Sequence, residues 1–132
     1  MAQQPTHTGR CLCGGVRYEI SGPLRGVIAC HCSQCRRTSG HHVAATSVPS
    51  TALALIDSAT LHWYRSSDSA ERGFCNRCGG NLFWRELGGD ATSIMAGTLD
   101  APTGITVERH IFVADKSDYY ELNDSAPKFR GW

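Results

Sequence analysis

The sequence predicts a mainly β fold, a small antiparallel domain, on three observations. Apolar residues alternate with period two along most of the chain, turn signals separate the alternating runs, and no segment shows a long amphipathic helical pattern. Val16, Tyr18 and Ile20 fall on one face of the first expected strand, which stops at the Ser21-Gly22-Pro23 turn. Two further strands are read at Val43 to Val48 and Leu61 to Tyr64. Asn81 to Glu86 closes at Gly88-Gly89-Asp90, and Thr92 to Ala96 follows. Ile105 to Val113 begins after Ala101-Pro102-Thr103-Gly104. Fourteen glycines suit a chain of many tight turns better than one of helices. Residues 1–8 read as a flexible N-terminus, and residues 126–132 as a C-terminal tail.

Composition narrows the class of function. A chain of 132 residues is expected to form one domain. Thirteen basic residues against twelve acidic ones give a formal charge of +1, which provides no field for a polyanion, so no nucleic-acid partner is expected. No apolar run approaches the ~18 residues of a membrane span, and the N-terminal sequence has no signal-peptide pattern. The expectation is a cytoplasmic protein without a membrane partner; oligomeric state leaves no mark in the sequence.

In a reducing compartment cysteines persist as ligands, nucleophiles or buried fillers, and seven of them cannot all pair within one chain. All seven fall in three tight clusters: Cys11-Leu12-Cys13-Gly14-Gly15, Cys30-His31-Cys32-Ser33-Gln34-Cys35 and Cys75-Asn76-Arg77-Cys78-Gly79-Gly80. That spacing reads as zinc ligation, with an iron–sulfur cluster as the alternative metal. In Cys-x-x-Cys-Gly-Gly the chain turns back to bring two sulfurs onto one ion, and the glycine supplies positive φ. In Cys-x-Cys on an extended segment, both side chains leave the same face. Two ions account for the count if four thiolates close one site and three leave the other open. Cys11, Cys13, Cys75 and Cys78 would form the closed site and Cys30, Cys32 and Cys35 the open one, although spacing alone also permits another division.

Three strings carry a resemblance to a known family: Gly9-Arg10-Cys11-Leu12-Cys13-Gly14-Gly15-Val16-Arg17-Tyr18, Cys30-His31-Cys32-Ser33-Gln34-Cys35-Arg36-Arg37, and Arg72-Gly73-Phe74-Cys75-Asn76-Arg77-Cys78-Gly79. The chain resembles the glutathione-dependent formaldehyde-activating enzymes, a family that includes centromere protein V. The likeness extends over about residues 9–125, through Ala96-Gly97-Thr98-Leu99-Asp100 and His110-Ile111-Phe112. It implies a zinc-stapled β-tent domain over 9–125 with two zinc ions, Cys11, Cys13, Cys75 and Cys78 structural and Cys30, Cys32 and Cys35 functional. Gly80-Asn81 departs from the Thr or Ser and then Leu that many members carry after Cys-Gly, without touching a ligand.

The resemblance implies a carbon–sulfur lyase whose substrates are glutathione, or another small thiol, and formaldehyde, a small aldehyde. Glutathione carries two carboxylates, and Arg36 and Arg37 directly follow the third thiolate of the open set, where a guanidinium fork can clamp one. Their plainer role is to compensate the charge of the thiolates. His31, His41 and His42 stand near the same cluster as candidates for proton transfer, or as ordinary packed or solvated imidazoles. Two readings of another class compete with the enzyme: a non-catalytic zinc-binding interaction module, and a thiol or metal sensor that loses its ion on oxidation.

Overall fold

The computed structural model describes residues 5–132. Of the N-terminal stretch expected to be flexible, residues 1–4 lie outside the described residues. The elements in chain order are β1 (His7–Arg10), β2 (Arg17–Ile20), β3 (Val27–Cys30), α1 (Ser33–Ser39), β4 (Val43–Pro49), β5 (Leu53–Asp57), β6 (Leu61–Arg65), β7 (Ala70–Cys75), β8 (Asn81–Glu86), β9 (Ala91–Met95) and β10 (Val107–Ile111), with single-turn 3-10 segments after β4, β9 and β10. The mainly β class expected from the sequence is what the chain adopts. His7 and Thr8 form the first half of β1, paired with Ile20 and Glu19, and so belong to the sheet.

The chain divides into two compact units, one built from residues up to Arg25 and from Thr46 to Gly104, the other from Gly26–Ala45 and Ile105–Trp132. In the first unit β1, β2 and β5 pair antiparallel, and β6, β7, β8 and β9 form an antiparallel run. The alternation at Val16, Tyr18 and Ile20 points all three side chains inward, each 1 % exposed or less. Tyr18 meets Phe83 edge-on with ring centroids 5.5 Å apart. Leu82 and Ile94 are buried in the same unit, and each such side chain withdrawn from water contributes ~1.5–3 kcal/mol. Trp63 stacks on Phe83 at 6.0 Å, and the Arg85 guanidinium covers Trp63 at 3.7 Å while also bonding Glu71 at 2.7 Å.

In the second unit β3 lies between β10 and the first three residues of β4, Val43 to Ala45. Val27, Ile28 and Ala29 are all buried, so β3 reads as a continuous apolar run without the alternation that marks a half-exposed strand. Its pairing with β10 is parallel, Val107 opposite Val27 and Ile111 opposite Cys30, an exception to the antiparallel expectation. Strands so far apart in sequence are not joined by a hairpin, so no tight turn dictates their direction. Residues 126–132, expected as a tail, run beside β10. His110 N–H bonds the Pro127 carbonyl at 2.9 Å, Phe129 N–H bonds the His110 carbonyl at 2.9 Å, and Phe112 N–H bonds the Gly131 carbonyl at 2.8 Å. Arg109 covers the Trp132 ring at 4.9 Å. Among the described residues no helix is long and apolar enough to cross a membrane.

Candidate metal centres

The structure gathers all seven cysteines into two groups, each inside one compact unit. Cys11, Cys13, Cys75 and Cys78 form one, Cys30, Cys32 and Cys35 the other, and within each group the sulfurs lie within 4.8 Å of one another. None of the seven forms a disulfide. Either group can hold a metal ion, and the sharing into four and three is the one expected from the count.

Cys11 and Cys13 flank a turn after β1, closed by Gly14 N–H bonding the Cys11 carbonyl at 3.2 Å. This corrects the expectation of an extended Cys-x-Cys segment at this position: Gly14, at φ +78°, lets the backbone curl so that the two sulfurs converge. Cys75 ends β7, and a second turn carries Cys78, with Gly79 N–H bonding the Cys75 carbonyl at 2.8 Å and Gly79 at φ +76°. Gly79, which follows the second cysteine of Cys75-Asn76-Arg77-Cys78, takes the positive φ that this motif predicts, and Gly14 takes it without having been expected to.

The distances fit a tetrahedral ion. Cys11 Sγ and Cys13 Sγ are 3.7 Å apart, and Cys13 Sγ and Cys75 Sγ 3.6 Å, far beyond a disulfide bond. Four sulfurs each ~2.3 Å from a central zinc stand ~3.8 Å from one another. Backbone N–H groups already serve the sulfurs: Val16 donates to Cys11 Sγ at 3.3 Å, Gly15 to Cys13 Sγ at 3.4 Å, and Arg77 to Cys75 Sγ at 3.4 Å. The Arg77 side chain adds a charged donor, Nε to Cys13 Sγ at 3.2 Å. Contact with the Thr60 hydroxyl, 3.3 Å away, is the main cause that lowers the Cys75 thiol to about 6. Cys78 is lowered as well, chiefly by a backbone hydrogen bond, whereas burial raises the Cys11 thiol; the thiolate is the form that binds a metal.

In the second unit Cys30 closes β3, Cys32 caps the N-terminus of α1, and Cys35 lies buried in its first turn. The cap is a bond from Cys35 N–H to Cys32 Sγ at 3.3 Å, with Cys32 extended at φ −63° and ψ 162°. Contact with Cys35, followed by burial, pushes the Cys30 thiol upward. The three sulfurs lie within 4.8 Å of one another, so this cluster too can hold a metal. It supplies one ligand fewer than a closed tetrahedron requires.

Arg36 and Arg37 sit in α1 directly after Cys35. Arg36 is half-buried with its Nε buried and without a hydrogen-bond partner, and Arg37 is exposed. His31 is fully buried, and both ring nitrogens are engaged: Nδ1 with the Tyr120 hydroxyl at 2.5 Å and Nε2 with His110 Nδ1 at 2.9 Å. It is therefore a packed imidazole and not a ligand, and burial lowers its pKa to about 4. His110 Nε2 in turn meets Asp124 Oδ2 at 2.8 Å. His42 stacks against His31 with centroids 4.7 Å apart and carries a buried, unpartnered Nδ1. Exposed His41 bonds the Tyr119 hydroxyl through Nδ1.

Sequence reasoning missed Tyr119, Tyr120, His110 and Asp124, which surround these histidines, and Arg77 at the closed cluster. Arg77 lay inside a motif already singled out, two residues after Cys75. His110 stood as a polar residue next to Ile111 in a predicted strand. Tyr119, Tyr120 and Asp124 occupy irregular backbone after β10, where no periodicity marks them.

A Schizosaccharomyces pombe protein named as an uncharacterised lyase is 27% identical over 126 residues, covering 95% of this chain and 91% of that protein. The crystal structure of a Rhodobacter sphaeroides protein superposes with a TM-score of 0.61 at 25% identity, covering 74% of this chain and 91% of that one. The model of the glutathione-dependent formaldehyde-activating enzyme family matches residues 6–115, a stretch that holds both cysteine groups. The chain belongs to the glutathione-dependent formaldehyde-activating enzyme family.

Proposed function

We propose that this chain is a zinc-dependent carbon–sulfur lyase that joins and parts a small thiol and a small aldehyde, with glutathione and formaldehyde as the pair the family name supplies. The observation that carries the reading is the cluster of Cys30, Cys32 and Cys35, one ligand short of closure, with two arginines in the following helical turn. The residues would hold two zinc ions, one in each cysteine group, and the three-cysteine ion would supply Lewis-acid charge and an open coordination position.

The reaction needs no redox partner. The sulfur–hydrogen bond of the thiol is broken, a sulfur–carbon bond forms to the aldehyde carbon, and the proton ends on the former carbonyl oxygen; the reverse step returns all three. The chain's task is to hold the two reactants together and to manage that proton. Arg36 and Arg37 are the residues for the glutathione carboxylates, since a guanidinium presents a planar pair of donors to a carboxylate. The unpartnered Nε of Arg36 supports that role, because a buried donor without an acceptor is costly until a ligand supplies one. The cytoplasm, where glutathione is abundant and thiolates stay reduced, is the matching location.

The test is the rate of exchange between free glutathione and its hydroxymethyl adduct, read by proton NMR against a control without protein, because the background reaction is fast. Acceleration by the zinc-loaded chain that disappears in Cys32→Ser supports the reading. Full acceleration in Cys32→Ser places the chemistry elsewhere, and none in the unaltered chain leaves a zinc-binding interaction module in its place.

A further inference from the structure

The second unit contains a chain of four side chains for which no role has yet been given: Asp124, His110, His31 and Tyr120. Its contacts are consecutive, Asp124 Oδ2 to His110 Nε2 at 2.8 Å, His110 Nδ1 to His31 Nε2 at 2.9 Å, and His31 Nδ1 to the Tyr120 hydroxyl at 2.5 Å. His31 stands between Cys30 and Cys32, and its burial is complete. The Tyr120 ring lies 4.5 Å from His41, and the Arg36 charge acts on its hydroxyl. The Tyr120 hydroxyl is thus tied through His31 and Arg36 to the segment that carries the open cluster.

Each neutral imidazole has one donor and one acceptor nitrogen, so a carboxylate at one end fixes the direction of every bond. Asp124 only accepts, being held ionised to about 2 chiefly by its bond with His110. A neutral His110 must then carry its proton on Nε2 and accept at Nδ1. His31 must donate from Nε2 and accept at Nδ1, and Tyr120 must give its proton inward to His31. A tyrosine that spends its proton inward offers only lone pairs to anything else.

We propose that Tyr120 is a ligand-contacting acceptor of the three-cysteine site, its direction set by the Asp124–His110–His31 chain, so that the site favours a thiol ligand bearing a hydrogen-bond donor near its sulfur. The hydroxyl of a thiol–aldehyde adduct is such a donor, and to that extent the proposal rests on the lyase reading. Asp124, His110 and His31 act through Tyr120 as positioning residues. Lys128 sharpens the device: its ammonium bonds the Asp124 carbonyl at 2.6 Å, the Ala126 carbonyl at 2.7 Å and Asp124 Oδ1 at 3.1 Å, which uses all three of its donors. In Asp124→Asn the amide oxygen must stay on Lys128, because an ammonium cannot accept. The amide nitrogen then faces His110 and donates, and every bond in the chain reverses.

Long-range proton–nitrogen NMR on the zinc-loaded chain at pH 8 tests this without reference to activity. Proton on Nε2 of both His31 and His110 is expected, with both moving to Nδ1 in Asp124→Asn. A proton on Nδ1 of His31 in the unaltered chain, or a flip of His110 alone in the variant, overturns the proposal. The first measurement decides even if Asp124→Asn fails to fold. Calorimetry with two thiols of similar size reads the consequence: cysteamine, whose ammonium only donates, and propanethiol, which has no polar group beyond sulfur. Tyr120→Phe should weaken cysteamine relative to propanethiol about three- to tenfold, and Asp124→Asn should weaken it at least as much. An unchanged ratio in Tyr120→Phe removes the ligand contact. If neither thiol binds the unaltered chain while the tautomers are as stated, the lyase reading fails on its own and the directed chain survives.

Discussion

Arg77 Nε donates to Cys13 Sγ across 3.2 Å, joining a residue of the second cysteine turn to a cysteine of the first and tying together segments 64 residues apart. Four thiolates around one divalent ion would carry a net charge of −2, part of which a guanidinium on one sulfur would offset. Arg77→Ala should therefore release the four-cysteine ion earlier in a chelator titration followed by native mass spectrometry, with the three-cysteine ion unaffected. Equal lability of that ion in the variant and the unaltered chain would show that the arginine is only a surface contact.

The two cysteine groups should fail differently. Serine is a much poorer zinc ligand than thiolate. Cys78→Ser opens the site that clasps β7 to the turn after β1, and with it goes a metal contribution to folding of several kcal/mol. The expected product is unstable or insoluble. Cys32→Ser should fold, retain one zinc by mass spectrometry, and lose thiol binding. A soluble Cys78→Ser chain melting at the temperature of the unaltered one would contradict the structural role of the first group.

How much of this was legible in the sequence depended on the kind of signal each residue leaves. The cysteine groups were readable because ligand spacing is a short-range pattern, β2 and β9 because one of their faces is buried and the other is not, and β4, β6, β8 and β10 because β-branched and aromatic residues stand between turn signals. The signal failed at β3, whose Val27, Ile28 and Ala29 are all buried, and at β5, which is mostly exposed, since neither alternates. It failed at β7, where Gly73 interrupts the pattern: a Cβ there would come within 3.1 Å of Phe83 and Trp63, so the glycine marks close packing of rings. The seven-residue α1 is too short to show a helical period. His110 and Tyr120 meet His31 from 79 and 89 positions away, and a contact of that separation has no local trace.

Gly9 is a second glycine whose role is set by a neighbour. A Cβ at this position would lie 2.2 Å from Tyr18 Oη and 2.5 Å from the Thr98 carbonyl oxygen, and the second of these is backbone that cannot swing aside. Gly9→Ala should destabilise the chain by ~1–3 kcal/mol through overpacking, measured by urea unfolding of the zinc-loaded protein. A midpoint equal to that of the unaltered chain would mean that β1 shifts without cost.

Tyr18 also governs the alkaline limb of stability. Its hydroxyl donates to Thr98 Oγ1 at 2.7 Å, because the Thr98 hydroxyl proton is already given to the Met95 carbonyl. Burial, the largest cause, raises its pKa from 10.0 to about 12. The unfolded chain loses this proton near pH 10 while the folded chain keeps it, so stability should fall as pH rises from about 10 to about 12, by ~3 kcal/mol in total. Tyr18→Phe should flatten most of that slope in unfolding curves recorded across the range, and leave the part contributed by Tyr120, which burial also raises. A slope identical in the variant would show that the buried hydroxyl is not its source.

The arginines of α1 separate recognition of the thiol from recognition of the rest of the ligand. A sulfur seeking the open cluster gains the same anchoring whether it belongs to glutathione or to a small neutral thiol, whereas only glutathione brings carboxylates. Arg36→Ala should therefore weaken glutathione about tenfold, the scale of a partly desolvated charge-assisted bond, and leave propanethiol unchanged. Arg37 is exposed, so Arg37→Ala should have a smaller effect, within the ~0–1 kcal/mol of a solvated ion pair and diminishing with added salt. Glutathione methylated on sulfur should bind weakly to all three proteins, since it keeps the carboxylates and loses the anchor. Calorimetry on the zinc-loaded chains checks each comparison. Equal losses for glutathione and propanethiol in Arg36→Ala would mean that the arginine maintains the charge balance of the cysteine cluster and does not read the ligand.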